Sequence, residues 1–287
     1  MAEGELETVE DKKMPLMAHL IELRQRLIRS FVALIILFFG CYYFAENIYG
    51  FLVQPLADIL AEEGGNRRLI FTALHEAFFT YIKVSFFAAL FLAFPFIGTQ
   101  IWMFIAPGLY KHEKRAFLPF LVATPILFFM GGALVYYFIF PLAWKFFLSF
   151  ETAGAAGGLP IQLEAKVNEY LALVMRLIFA FGLCFQLPVL LTLLARVGMA
   201  TSQGLREKRK YAIVIAFVAA ALLTPPDVIS QIGLALPTLV LYEISIISVR
   251  IVEKRRNEAD AEAAREAGVE DDDDAEDGEK KEAQSKA

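Results

Sequence analysis

Few side chains in this chain have the type and spacing to do chemistry, and their positions exclude most reactions. His19, His75 and His112 lie far apart and outside every apolar stretch. They offer no metal-ligand spacing. Cys41 and Cys184 each sit inside an apolar stretch, where a thiol reads as a packing group rather than a disulfide or a metal ligand. An intramembrane protease needs a nucleophile activated by a nearby base, and no histidine falls in a span. Carboxylates and amides remain. Glu113 lies in the tight segment Pro107-Gly-Leu-Tyr-Lys-His-Glu-Lys-Arg115; taken alone it is a solvated charge among cations. Glu22, Arg24 and Arg26 lie off an apolar helical stripe of Leu16, Leu20, Leu23 and Leu27. Gln186 and Gln231 lie within apolar stretches, where an amide must face protein, water or a ligand. An interhelical hydrogen bond and a partner-binding role both fit them. Asp227 suits a helix cap, and Glu243 is expected to reach toward Arg250 or Lys254.

The elements that position these groups are apolar. Of 287 residues, 57% are hydrophobic, and the mean hydropathy is +0.53. Six apolar stretches stand out at 28–44, 84–110, 116–144, 177–195, 212–223 and 228–242. At the helical rise, about 20 residues cross a hydrocarbon core of ~30 Å. The pattern predicts an all-α polytopic membrane protein of six transmembrane helices. The last two spans are expected to be short, implying thinned bilayer or protein shielding around them. Prolines in or near the spans, among them Pro55, Pro95, Pro125, Pro141, Pro188 and Pro237, predict a bent bundle rather than straight rods.

Outside the spans, residues 15–27 read as an amphipathic surface helix leading into the first span. Residues 45–76 and 145–169 read as long loops that could together cap one face. Three regions follow: a polar tail at 1–14, a six-helix body at 15–256 and an acidic tail at 257–287. The acidic tail holds 13 acids and 4 bases, the rest 19 acids and 23 bases. A run such as Asp271 to Asp274 cannot bury a core. The tail is therefore expected to be disordered beyond a helical extension of the last span. The N-terminus is acidic, without the basic start of a cleavable signal.

The string His19-Leu-Ile-Glu-Leu-Arg-Gln-Arg-Leu27 resembles the N-terminal signature of TatC, the multispanning receptor of the twin-arginine protein translocase. The similarity continues at Phe104-Ile-Ala-Pro-Gly-Leu-Tyr-Lys-His-Glu-Lys-Arg115, at Phe179-Ala-Phe-Gly-Leu-Cys-Phe-Gln-Leu-Pro188 and at Leu223-Thr-Pro-Pro-Asp-Val-Ile-Ser-Gln231. It covers residues 15–250 and leaves out the acidic tail. The resemblance implies a receptor and no enzyme. Such a receptor binds the Arg-Arg signal peptides of folded precursors at the cytoplasmic face. It recruits TatB-like and TatA-like single-span subunits into an oligomeric complex driven by the proton-motive force. By the same resemblance Glu113 and Glu22 read the arginine pair, and Phe104, Pro107 and Leu109 shape that site. Arg24, Pro55, Gln186, Asp227 and Gln231 are carried over as partner-binding or functionally sensitive positions. Many members have Glu where this chain has Gln186, which hydrogen-bonds but does not titrate. Cofactors, metals and nucleic acid are not expected. The alternative class is a secondary transporter of a small solute, but no repeat of halves is visible and the span interiors lack the charge such a site uses.

Lys and Arg favour cytoplasmic loops. Assigned to alternate sides of six spans, 17 of the basic residues within 1–256 fall on the side of both termini and six on the other. The expected location is the bacterial cytoplasmic membrane with both termini inside. A reporter fused after Gly268 should therefore read cytoplasmic and one inserted at Gly157 extracytoplasmic; the same side for both would sink the six-span topology.

Overall fold

The computed structural model describes residues 16–63, 68–105, 114–152, 159, 161–196, 198–224 and 228–285. All named elements among them are helical. They are α1 (Leu16–Tyr43), α2 (Ala45–Glu63), α3 (Glu76–Ile105), α4 (Lys114–Leu134), a π-helical turn (Val135–Ile139), α5 (Phe140–Leu148), α6 (Val167–Cys184), α7 (Leu187–Arg196), α8 (Ser202–Glu207), α9 (Arg209–Leu223) and α10 (Val228–Ser285). Two isolated bridges, Ile70 to Lys166 and Thr152 to Ile161, are the extended pairings described.

Five segments are long and apolar enough to cross a membrane: Met17–Tyr43, Glu76–Phe104, Pro119–Leu148, Val167–Arg196 and Ser230–Glu258. The remaining sequence span is α9, with 15 residues, which rise only about 22 Å. The expectation of two short final spans is corrected for the last one. Glu243 and Arg250 interrupt the apolar run but not the helix, and the apolar part of α10 runs 29 residues.

Three further expectations change. The amphipathic helix and the first span are one helix, α1, because no Gly or Pro interrupts residues 16–39. Much of the expected loop at 45–76 is α2, whose buried Ala45, Leu52, Leu56 and Ile59 recur at helical spacing. The helix continues through Pro55, which is buried. The third difference is at the C-terminus, where α10 carries helix as far as Ser285. Strong helix formers, Ala, Glu and Arg, dominate residues 258–267.

Two prolines mark breaks. The turn Phe185–Gln186 separates α6 from α7, and Pro188 follows at the second position of α7. Pro141 follows the π turn, where the Phe140 amide donates to Val135 O. A proline clashes with the carbonyl four residues earlier, and a π turn widens the helix at such a point.

The chain forms two compact units, described separately. The first comprises residues 1–54, 66–125 and 164–175. In it α1 packs on α3, with Leu34, Leu37, Phe38 and Ile48 around Cys41, Ala88 and Ala89. Small residues let the two backbones approach. Tyr170 Oη donates to Leu52 O at 3.0 Å. Glu76 ties the polar segments of this unit together. One oxygen accepts from the Thr72 and Ala73 amides at 2.8 and 3.3 Å, the other from Asn168 N at 3.3 Å.

The second unit comprises residues 55–65, 126–163 and 176–287. Here α10 packs on α7 and α9 through Leu234, Ala235, Ile246 and Val249, all nearly inaccessible. The approach of α4 to α6 depends on two glycines. A Cβ at Gly131 would lie 2.7 Å from Phe181 O, and one at Gly182 would lie 2.6 Å from Phe128 Cε2. The first contact is with backbone, which cannot step aside. Cys41 and Cys184 are free thiols.

Gly131→Ala should therefore destabilise the protein by about 1–3 kcal/mol, the range for an overpacked core. Gly50→Ala, where a Cβ meets nothing within 4 Å, should leave it unchanged or up to ~1 kcal/mol more stable. Thermal unfolding in detergent compares the two. Equal melting temperatures would mean that α4 and α6 are not held at glycine distance.

Candidate functional site

The polar groups that converge in the first unit lie on α1 and at the end of α3. An i,i+4 spacing puts Glu22 and Arg26 on one helical face. Arg26 Nε and Nη2 donate to Glu22 Oε1 at 2.9 and 2.5 Å. The pair is largely covered, with side chains 16% exposed for Arg26 and 23% for Glu22. One turn earlier, His19 Nδ1 lies 3.8 Å from Glu22 Oε2. The His19 ring stacks on Phe104, with centroids 4.2 Å apart and planes 11° from parallel. The chain thus joins Glu22 to Phe104 through a histidine 85 residues away in sequence from that phenylalanine.

The end of α3 is itself held. Trp102 Nε1 donates to Thr124 Oγ1 at 2.8 Å, and Thr124 Oγ1 donates to Phe120 O at 2.8 Å. Gly98 faces the Thr124 methyl group. The two helices flanking residues 106–113 are therefore locked together near their ends. Gln100, one turn before Phe104, is buried, and its Oε1 has no partner among the described residues. Pro107, Leu109 and Glu113 lie outside the described residues, as does Asp227.

The comparisons with known proteins bear on the whole of this region. The family model for the Sec-independent protein translocase protein TatC matches residues 18–237. This chain belongs to the TatC family. It is 55% identical over 257 residues to the TatC of Magnetococcus marinus, covering 90% of this chain and 91% of that one. It is 43% identical to the TatC of Escherichia coli K12 over 251 residues, covering 87% and 93%. A crystal structure of the twin-arginine translocase receptor TatC superposes with a TM-score of 0.69 at 38% identity, covering 82% of this chain and 99% of that one. The protein is thus a membrane-embedded component of a Sec-independent protein translocase.

Within this TatC-family chain the remaining candidates are dispersed. Arg24 is exposed on α1. Pro55, Gln186 and Gln231 belong to the second unit. Gln186 sits in the turn between α6 and α7, half-buried, its carbonyl accepting from Leu190 N at 2.9 Å. Gln231 Nε2 reaches Phe217 O on α9 at 3.5 Å, the outer limit for a hydrogen bond. Glu243 does not turn to Arg250 or Lys254. It accepts from Arg209 on α9 at 2.6 Å, because one face of α10 lies along that helix. Nearby, Tyr242 Oη donates to Leu205 O at 2.6 Å, and Glu253 accepts from the Ser202 amide at 2.9 Å.

Sequence reasoning missed His19 and Arg26 as members of the site. The Glu22-to-Arg26 spacing was a readable signal; the stack on Phe104 had none, since nothing local links the two rings.

The geometry at Gln231 gives a prediction. A 3.5 Å contact contributes little, so Gln231→Leu should change stability by no more than about 0.5 kcal/mol. Thermal unfolding in detergent measures it. A loss above about 2 kcal/mol would make Gln231 a strut between α9 and α10.

Proposed function

We propose that this chain is the receptor and core subunit of a twin-arginine translocase. It binds Arg-Arg signal peptides of folded precursors at the cytoplasmic face of the bacterial inner membrane, with both termini in the cytoplasm. It recruits TatB-like and TatA-like single-span subunits into an oligomer, and the proton-motive force drives transport. It carries out no catalysis of its own. Arg24, Pro55, Gln186, Asp227 and Gln231 serve partner docking or are sensitive to change.

One observation carries the reading. Glu22 is a partly covered carboxylate already in guanidinium geometry, joined through His19 to Phe104 at the mouth of the Glu113 turn. Two arginines need two acceptors, and planar carboxylates match guanidinium better than ammonium. Glu113 is the second acceptor. Pro107 and Leu109 shape its turn, and Phe104 offers a ring against which an arginine or an apolar residue can lie.

Losing one charged hydrogen-bond acceptor costs about 1.5–3 kcal/mol, less in a wet site. That is roughly one to two decades in affinity. Glu113→Ala should weaken an Arg-Arg signal far more than a Lys-Lys signal, which already lacks planar pairing. Glu22→Ala should act in the same direction and less strongly. Binding of both signal peptides to detergent-purified protein tests this. Equal losses for both signals would make Glu113 a fold-supporting residue of its turn.

A further inference from the structure

Glu22 is not an empty acceptor. Arg26 places two nitrogens on its Oε1, at 2.9 and 2.5 Å. Oε2 is left facing only the weaker His19 contact at 3.8 Å. An incoming ammonium is a point charge and can settle on Oε2 alone. An incoming guanidinium gains its advantage from pairing with both oxygens, and one of them is taken. Full planar pairing therefore requires Arg26 to leave.

We propose that Arg26 is an internal competitor for Glu22, a guanidinium built into the chain that the signal arginine must displace. The inference rests on the signal-binding reading above and adds a residue that sets its affinity and selectivity. Arg26 stands on the same helix as Glu22, four residues on, so it is always within reach. The His19–Phe104 stack restrains the helix, so the carboxylate cannot swing away from the competitor. The consequence is a site held below its full strength. A signal bound there can be released when Arg26 returns, without any change in the fold.

The ordinary reading of an i,i+4 Glu–Arg pair is local helix support. It predicts that removing Arg26 leaves binding unchanged or weakens it. The competitor reading predicts the opposite sign. Four full-length proteins in detergent separate them: wild type, Arg26→Gln, Arg26→Lys and Glu22→Gln/Arg26→Gln, with Glu22→Gln as reference. The probes are Arg-Arg and Lys-Lys signal peptides at fixed ionic strength.

Arg26→Gln should tighten the Arg-Arg signal about threefold to tenfold, the span between an exposed and a partly buried pair. The Lys-Lys signal should tighten less, so discrimination widens. The Arg-Arg dissociation rate should fall. Arg26→Lys keeps the charge and loses the fork, and should tighten the Arg-Arg signal as well, by a smaller factor. The double variant should bind like Glu22→Gln alone, since the gain needs the carboxylate.

No tightening in either Arg26 variant would overturn the competitor, as would equal tightening of both signals by Arg26→Gln alone, which is the mark of a lost positive charge. If Glu22→Gln binds the Arg-Arg signal as wild type does, the signal-reading role of Glu22 falls, and the competitor falls with it. Weakened binding in Glu22→Gln with no gain in the Arg26 variants would remove the competitor and leave the receptor reading standing.

Discussion

The hydrocarbon interior supplies no water, so every polar group placed there must find its partner within the chain. Most of the structure answers to that constraint. Hydroxyls turn back onto their own helices: Ser85 donates to Tyr81 O at 2.7 Å, Thr99 to Pro95 O at 2.8 Å, Thr238 to Leu234 O at 2.8 Å and Ser245 to Leu241 O at 2.6 Å. Thr124 does the same while accepting from Trp102, and so joins α3 to α4. Charged pairs such as Glu22 with Arg26, or Arg209 with Glu243, stand near helix ends or on half-exposed faces.

The same solvent removes the usual reason for helices to associate. Lipid tails are as apolar as leucine side chains, so close fit has to do the holding. Ala88 and Ala89 serve this in the first unit, and Gly131 and Gly182 in the second. Large exposed apolar residues such as Phe31, Phe39, Phe138 and Leu222 then need no protein partner. They are the lipid-facing side of the design, and only in a soluble chain would they signal a docking patch.

Apolar run length made the spans legible in the sequence, and the long motifs made the family legible. The boundaries were less so. A charged residue within a span, Glu243 or Arg250, looks like an end in a hydropathy reading but costs a helix nothing when it can pair across to Arg209 or reach past the lipid. The α2 helix was hidden because its buried stripe is diluted by Glu46, Asn47, Gln54 and Asp58. In the site, the residue types were legible and their company was not. Glu22 could be singled out from the sequence. Its His19 and Phe104 neighbours depend on tertiary packing of α1 on α3, which no local pattern encodes.

The π turn at Val135–Ile139 has a consequence in the bookkeeping of helical phase. The buried residues of this span come in adjacent pairs: Val135 and Tyr136, Ile139 and Phe140, Ala143 and Trp144. They step by four, whereas an α-helix repeats every 3.6 residues. An unbroken α-helix with that pattern would rotate its buried face by about 40° at each step. The wider turn absorbs part of that drift, so one side of the span stays inward from Phe128 to Leu148. The turn is in effect a single inserted residue that has become structural. Losing one residue there would restore regular winding and swing everything beyond it by about 100°, turning Trp144 from the core toward the lipid. The length of this segment is thus as much a part of its code as its composition, and a deletion would be read out as a rotation.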